Sequence, residues 1–292
     1  MSEVMTTPPR TPIAGRTVGA TGATRQVRPA GSDYDRFCAG IKSLTGIELT
    51  HYRQGQMERR LRTFAERQGC ADLDAYLVEL RKDKETLEGF LDRMTINVSE
   101  LFRNPERFEE LEKTHLPALL KASPAGLRIW SAGCSYGAEP YTLSVILQEI
   151  APGKRHEIIA SDLDQVILAK ARRGRFTEGD VRHVPPARLA KWFVKEEDAG
   201  TTVYEANAKL KALVTFRHHN LLEDRFPDKL DLIACRNVVI YFKDDAKAAI
   251  YERFLQALRP GGLLFVGSTE RVHRAEEMGW QRASTFFYRR PG

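Results

Sequence analysis

The sequence predicts an α/β chain: a doubly wound, mostly parallel sheet, preceded by a helical N-terminal domain and carrying a small antiparallel β insert. Three observations predict this. From Asp33 to about Met94 apolar residues recur with a helical period. After Pro124 short apolar runs alternate with helical stretches, the pattern of parallel strands joined by crossover helices. Between about Gly179 and Ala212 that alternation is interrupted.

Residues 1–30 are rich in Thr, Pro, Gly and Ala and read as a disordered tail. They carry Arg10, Arg16, Arg25 and Arg28 against Glu3, half of the chain's net charge of +6. The charge signal for the body is therefore modest and does not by itself point to nucleic acid. The tail's Gly and Pro oppose an amphipathic transit helix, and it has no apolar stretch of signal-peptide type.

The helical domain is assigned to 31–95. Its apolar stripes are Phe37, Ile41 and Leu44; Met57, Leu61 and Phe64; Leu73, Tyr76, Leu77 and Leu80; and Leu87, Phe90, Leu91 and Met94. Breaks near Gly46, Gly69 and Lys82–Lys84 divide it into about four helices. Residues 96–126 form a linker and a helix. Asn104 before Pro105 marks the helix start, since the first turn tolerates a missing N–H, and Pro117 lies near its expected end at Leu116.

The sheet domain is assigned to 127–292, with the insert at about 179–212. Strands are expected at Leu127–Ser131, His156–Ala160, Leu213–His219, Leu230–Cys235 and Leu263–Gly267. Thr285–Tyr288 is expected as an edge strand. With 292 residues, 42% of them hydrophobic and 29% charged, the chain has material for a large core, which excludes full disorder. No apolar run approaches the roughly 20 residues of a membrane span. Four cysteines without a Cys-x-x-Cys pair exclude a dense disulfide scaffold and a local zinc knuckle, and read as free thiols in a reducing cytoplasm.

Ligands of open parallel sheets bind beyond the carboxyl ends of the strands. Five loops qualify: Ser131–Glu139, Ser161–Asp164, Asn220–Leu222, Cys235–Asn237 and Gly267–Glu270. Gly133 and Gly137 permit a tight turn and close backbone approach. Asp162 suits the two hydroxyls of a ribose, with one of Asp162 and Asp164 capping the next helix. Gly133 and Asp162 are 29 residues apart, longer than the nicotinamide fingerprint of about 20. Pro260-Gly261-Gly262 ahead of the fifth strand is a turn that recurs in methyltransferases using S-adenosylmethionine. Amino-group methylation of bases calls for a Pro-Pro-aromatic loop after the fourth strand, where this chain has Arg236-Asn237-Val238-Val239. A Pro-Cys nucleophile for cytosine is also missing, because Cys235 follows Ala234. His218-His219 has no companion ligands at metal spacing, so no metal is expected.

Asn97–Arg103 (Asn-Val-Ser-Glu-Leu-Phe-Arg), Trp130–Tyr141, Ala160–Asp164, Asn220–Leu222 and Cys235–Phe242 occur in this order. Together they resemble the chemotaxis receptor methyltransferase family (CheR type), over about residues 33–290. The resemblance implies the S-adenosylmethionine-dependent methyltransferase fold and transfer of methyl to glutamate side chains of chemoreceptors, forming γ-methyl esters. It implies cofactor contacts from Asn97, Ser99, Arg103, Glu139, Asp162, Asn220, Leu221, Arg236 and Asn237. Ser99 replaces a common Thr, keeping the hydroxyl, and Ala138 replaces a frequent second Glu, leaving Glu139 as the carboxylate of that loop.

A glutamate carboxylate, with a reference pKa of about 4.3, is ionised at neutral pH and needs no general base. Catalysis then reduces to holding oxygen, methyl carbon and sulfur in line. Arg103 and Tyr241 are the candidates for that work. The stretch His51–Arg67 carries Arg53, Arg59, Arg60, Arg62 and Arg67 against Glu58 and Glu66. Arg53, Arg59, Arg60 and Arg62 are the candidates for receptor docking, with Arg59 and Arg62 placed on the solvent face by the helical period. The expected partner is a receptor cytoplasmic helical domain, with a receptor C-terminal peptide as a further ligand of the β insert. The expected enzyme is a cytoplasmic monomer recruited to membrane receptors, without nucleic acid or membrane insertion. The rivals are a non-catalytic scaffold of the same fold and a nucleic-acid methyltransferase.

Overall fold

The computed structural model describes residues 31–94, 99–198 and 200–292. The first helix, α1 (Asp33–Thr45), opens on a capping box: Ser32 accepts the Asp35 N–H while the Asp35 carboxylate accepts the Ser32 N–H. It stops at Gly46, whose φ of 77° is the left-handed conformation glycine adopts without a Cβ penalty. Then come α2 (Gln54–Arg67), α3 (Leu73–Lys82), capped by Asp72, and α4 (Lys84–Met94). Their apolar stripes meet in a core separate from that of the sheet, centred on the Phe37, Tyr76 and Phe90 rings at 5.8–6.0 Å centroid spacing. Leu44, read as part of the α1 stripe, is instead exposed.

The linker leads into α5 (Pro105–Glu110), a wide π-type turn (Leu111–His115) and α6 (Leu116–Ala122). The helix thus runs past its expected end at Leu116. The wide turn stands just ahead of Pro117, whose missing N–H an α-ladder could not use.

The sheet domain follows as β1 (Arg128–Ala132), α7 (Ala138–Ile150), β2 (Glu157–Asp162) and α8 (Gln165–Arg173). The next segment is β3 (Arg175–Thr177), α9 (Glu178–Val181), α10 (Pro186–Trp192), β4 (Phe193–Asp198), β5 (Thr201–Ala206) and α11 (Ala208–Lys211). The chain closes with β6 (Val214–His218), β7 (Leu230–Cys235), α12 (Asp244–Ala257), β8 (Leu258–Val266), β9 (Gln281–Ser284) and β10 (Phe287–Arg289).

The main sheet has the order β6-β2-β1-β7-β8-β10-β9, parallel from β6 through β8 and antiparallel beyond. The terminal segment is therefore not the edge. β10 lies inside β9, and β9 escaped the sequence reading because Gln281-Arg282-Ala283-Ser284 shows no apolar alternation and three of its residues are exposed. The insert is a second sheet, β3-β5-β4, all antiparallel. Its first strand lies ahead of residue 179 and holds a single buried residue, Phe176, too little for a recognisable pattern.

β1 has β2 on one side and β7 on the other, so the strand order reverses there. The helical domain is tied over this point. The Arg53 N–H donates to the Tyr241 carbonyl at 3.0 Å and the Lys243 N–H to the His51 carbonyl at 2.8 Å. Tyr52 forms a bridge with Phe242, their rings 4.9 Å apart.

Candidate active site

The cavity at this reversal is lined from below by Gly133–Ser135, Glu139, Asp162, Asn220 and Leu221, and by Arg236–Val238. These are the ends of β1, β2, β6 and β7 and the first turn of α7. Gly133 has φ 82°, and a Cβ there would lie 2.4 Å from Val238 Cγ2. Only a glycine lets the loops after β1 and β7 touch. Asp162 holds the first loop: Oδ2 accepts the Ser135 N–H at 2.8 Å and Oδ1 the Asp164 N–H at 3.1 Å. Each oxygen retains acceptor capacity for a ligand. Asp164, not Asp162, caps α8 through the Val166 and Ile167 N–H groups.

Glu139 accepts from the Ser131 hydroxyl at 2.7 Å and faces Arg236 Nη1 at 3.6 Å. The Arg236 guanidinium lies between the Phe108 and Phe265 rings, 4.9 and 4.6 Å from their centroids. Its Nη2 donates to the Arg103 carbonyl at 2.8 Å and to Asn104 Oδ1 at 3.0 Å. Through its two Nη atoms Arg236 thus fastens the linker bearing Arg103 to the sheet. Burial raises the Glu139 and Asp162 carboxyls above the usual carboxylate range, against the pull of Arg236 on the first and of backbone N–H groups on the second.

Six residues other than glycine have positive φ among those described, and four belong to this region: Phe102 (57°), Asn104 (61°), Ser135 (50°) and Asn237 (61°). Such conformations cost about 1–3 kcal/mol each and persist where surrounding contacts fix them. The Phe102 N–H, for example, donates to Thr142 Oγ1 at 2.9 Å.

From above, the cavity is closed by Tyr52, Met57, Arg60 and Met94 of the helical domain, with Ser99, Arg103 and Tyr241 between the two sides. Arg60 reaches inward and donates to the Arg93 carbonyl. Burial raises the Tyr241 phenol, and the Arg60 and Arg103 charges pull it back down. Three residues read separately from the sequence are thereby brought to one end of the cavity.

The structure gathers Ser99, Arg103, Glu139, Asp162, Asn220, Leu221, Arg236, Asn237, Tyr241 and Arg60 around one space. Asn97 lies outside the described residues. The other arginines of α2 part company. Arg59 is exposed on the outer face. Arg62 does not present a lone charge to solvent: it donates to both oxygens of Asp33 at 2.9 Å and pairs with Glu58. The helical period placed it correctly around α2 but could not see α1 beside it. Arg53 lies 3.6 Å from Asp244. Met94 was read only as scaffold, Glu270 only as part of a loop, and Tyr52 was not singled out. Among the described residues no cluster of three His, Cys, Asp or Glu side chains could hold a metal ion, and no helix is long and apolar enough to cross a membrane.

Residues 97–286 match the family model described as CheR methyltransferase, SAM binding domain, and residues 32–95 the CheR methyltransferase all-alpha domain. The chain belongs to the CheR methyltransferase family. It is 35% identical over 256 residues to a chemotaxis protein methyltransferase of Listeria monocytogenes, covering 88% of this chain and 96% of that one. Chemotaxis protein methyltransferase 1 of Pseudomonas aeruginosa is 33% identical, over 84% of this chain and 92% of its own. The Salmonella typhimurium enzyme is 30% identical, over 88% and 90%. As a CheR methyltransferase the chain uses S-adenosylmethionine. The cavity fits that group: Asp162, Glu139, Asn220 and Asn237 line it and supply acceptors for hydroxyls, an amine and a base edge.

Proposed function

We propose that the chain transfers a methyl group to glutamate carboxylates on the cytoplasmic helical domain of chemoreceptors, giving γ-glutamyl methyl esters in chemotactic adaptation. The observation that carries this reading is the convergence of Arg60, Arg103 and Tyr241 in a cavity that also carries the Glu139 and Asp162 carboxylates and the Asn220 and Asn237 amides. Two guanidinium groups from different parts of the chain are suited to an anionic substrate.

When bound, S-adenosylmethionine supplies an electrophilic methyl on a sulfonium. Asp162 and the Asn220–Leu221 segment hold its nucleoside end. Ser99, Glu139 and Asn237 would hold its amino-acid end. Arg60 and Arg103 draw in the glutamate carboxylate and orient one oxygen. Tyr241 places its ring and hydroxyl beside that oxygen. No residue has to remove a proton, because the nucleophile arrives ionised. The helical domain closes the space from above and excludes water.

Arg59 and Arg53 extend the basic surface of α2 beyond the cavity and steer the receptor helix. The three-stranded insert, with Val194 of β4 exposed, is the second receptor contact, taking a C-terminal receptor peptide. The enzyme acts as a monomer recruited to membrane receptors. Transfer of labelled methyl from S-adenosylmethionine to receptor cytoplasmic fragments tests the reading, with methanol released by alkali. Label that survives alkali, or that persists when the receptor glutamates are replaced by alanine, contradicts it.

A further inference from the structure

We propose that Glu270 is a positioning residue for cofactor binding, a carboxylate that fixes the loop after β7 and through it the shape of the cavity floor. The inference deepens the reading of this cavity as the S-adenosylmethionine site and rests on it.

Glu270 follows β8 and is 2% exposed. One of its oxygens, Oε2, accepts the Asn237 and Gly267 N–H groups, both at 2.7 Å. The other, Oε1, accepts the Val238 N–H at 3.0 Å and the Val239 N–H at 3.1 Å. Four backbone donors thus converge on one carboxylate. Three of them belong to consecutive residues, the lead-in to and first residue of the 3-10 turn Val239–Tyr241. The arrangement is a helix cap supplied from a distant strand end. It also holds Asn237 at φ 61°, in the left-handed region that Asn tolerates better than most residues.

The loop held in this way faces the ligand space. Asn237, Val238, Ile240 and Tyr241 all line the cavity. Val238 is also the side chain against which Gly133 packs. A shift of residues 237–239 would therefore move the Asn237 amide and disturb the glycine loop beside it on the cavity floor. Gly267 leaves room for the clamp: a Cβ there would lie 2.5 Å from Glu270 Oε2 and 2.9 Å from the Asn237 nitrogen.

Glu270→Gln replaces one acceptor oxygen with an NH2 group that faces backbone donors and leaves them unpaired. Binding of S-adenosylhomocysteine by calorimetry should weaken roughly tenfold, the scale of a buried charged hydrogen-bond set left half made. KM for S-adenosylmethionine should rise in step while KM for receptor fragment stays within about twofold. Gly267→Ala, which crowds the same carboxylate without removing it, should act in the same direction and decides the matter if Glu270→Gln does not fold. A wild-type chain that fails to bind S-adenosylhomocysteine would overturn the reading of the cavity itself. Wild-type binding together with a folded Gly267→Ala chain of unchanged affinity would overturn only the role of Glu270. Lower thermal midpoints in both variants with unchanged affinity would likewise reduce Glu270 to a support of the fold.

Discussion

Asp162 and Arg60 border the same cavity from opposite sides, and the chain secures them in different ways. Asp162 ends a central parallel strand and is bonded to two backbone N–H groups of neighbouring loops. Around it, Glu139 and Asn237 are similarly held by Ser131, Arg236 and Glu270. Arg60 sits on a helix of a separate bundle with its own core. Just ahead of α2 that bundle meets the sheet domain through two backbone hydrogen bonds and the Tyr52–Phe242 ring contact, with Arg53 near Asp244 and Leu163 packed on the bundle core. The difference teaches a division of labour. A floor locked by many short hydrogen bonds is preorganised for one small ligand. A roof built on its own core can meet a large protein substrate without rebuilding the floor.

The comparison breaks most readily at Asp162. Asp162→Ala removes ligand acceptors and also frees the Ser135 and Asp164 N–H groups. Cofactor affinity should fall by well over tenfold, since each hydrogen bond to a charged group contributes ~1.5–3 kcal/mol. Calorimetry with near wild-type affinity would show that the floor is not where the nucleoside end binds.

Between floor and roof, Arg103→Ala and Tyr241→Phe should lower kcat by about tenfold or more while changing cofactor affinity much less, because orientation matters chiefly in the transition state. Equal loss in both quantities would make them ordinary floor residues.

On the roof, Arg60→Ala and Arg59→Glu should raise the receptor KM by about fivefold at low salt, with cofactor affinity unchanged. The wild-type receptor KM should itself rise with ionic strength as screening grows. Arg62 is a poor probe of docking, because Arg62→Glu would set a carboxylate against Asp33 and Glu58 and loosen the bundle. A cofactor affinity that follows Arg60→Ala would join roof to floor and end the distinction.

The smallest effect is on pH dependence. Burial places the Asp162 and Glu139 pKa values above the ordinary carboxylate range, so both take up protons at higher pH than exposed acids do. A protonated carboxyl offers less to hydroxyls and no charge to an ammonium. Cofactor affinity should therefore decline by about a few-fold on acidification, beginning at a higher pH than exposed carboxylates would dictate. Arg60 stays charged throughout, so receptor KM should not share that decline. A flat affinity profile would remove the two carboxylates from the ligand.

The amino-acid sequence determined by itself the layers and the carboxyl ends of the parallel strands, though not the start of β8, which begins at Leu258 and takes in the Pro260-Gly261-Gly262 segment expected as a turn. Helical and two-residue periodicities report which face of an element is buried, and that is a local property of the chain. The strands β1, β2 and β7, the bundle of α1 to α4 and the residues beyond the strand ends were legible for this reason. Gly133 and Asp162 were legible as cavity residues because a parallel sheet opens its ligand crevice there.

What the sequence could not decide depends on contacts between distant segments. That Arg60 turns into the cavity and Arg62 onto Asp33 follows from where α1 and the sheet domain lie against α2. That Arg236 is occupied by Glu139, Arg103 and Asn104 follows from three segments meeting at one guanidinium. Glu270 is the clearest case. In the chain it is one acid after Gly-Ser-Thr, 33 residues from Asn237. Only the pairing of β7 with β8 brings its carboxylate under four backbone donors, since a hydrogen bond has a range of about 3 Å and no signature along the sequence.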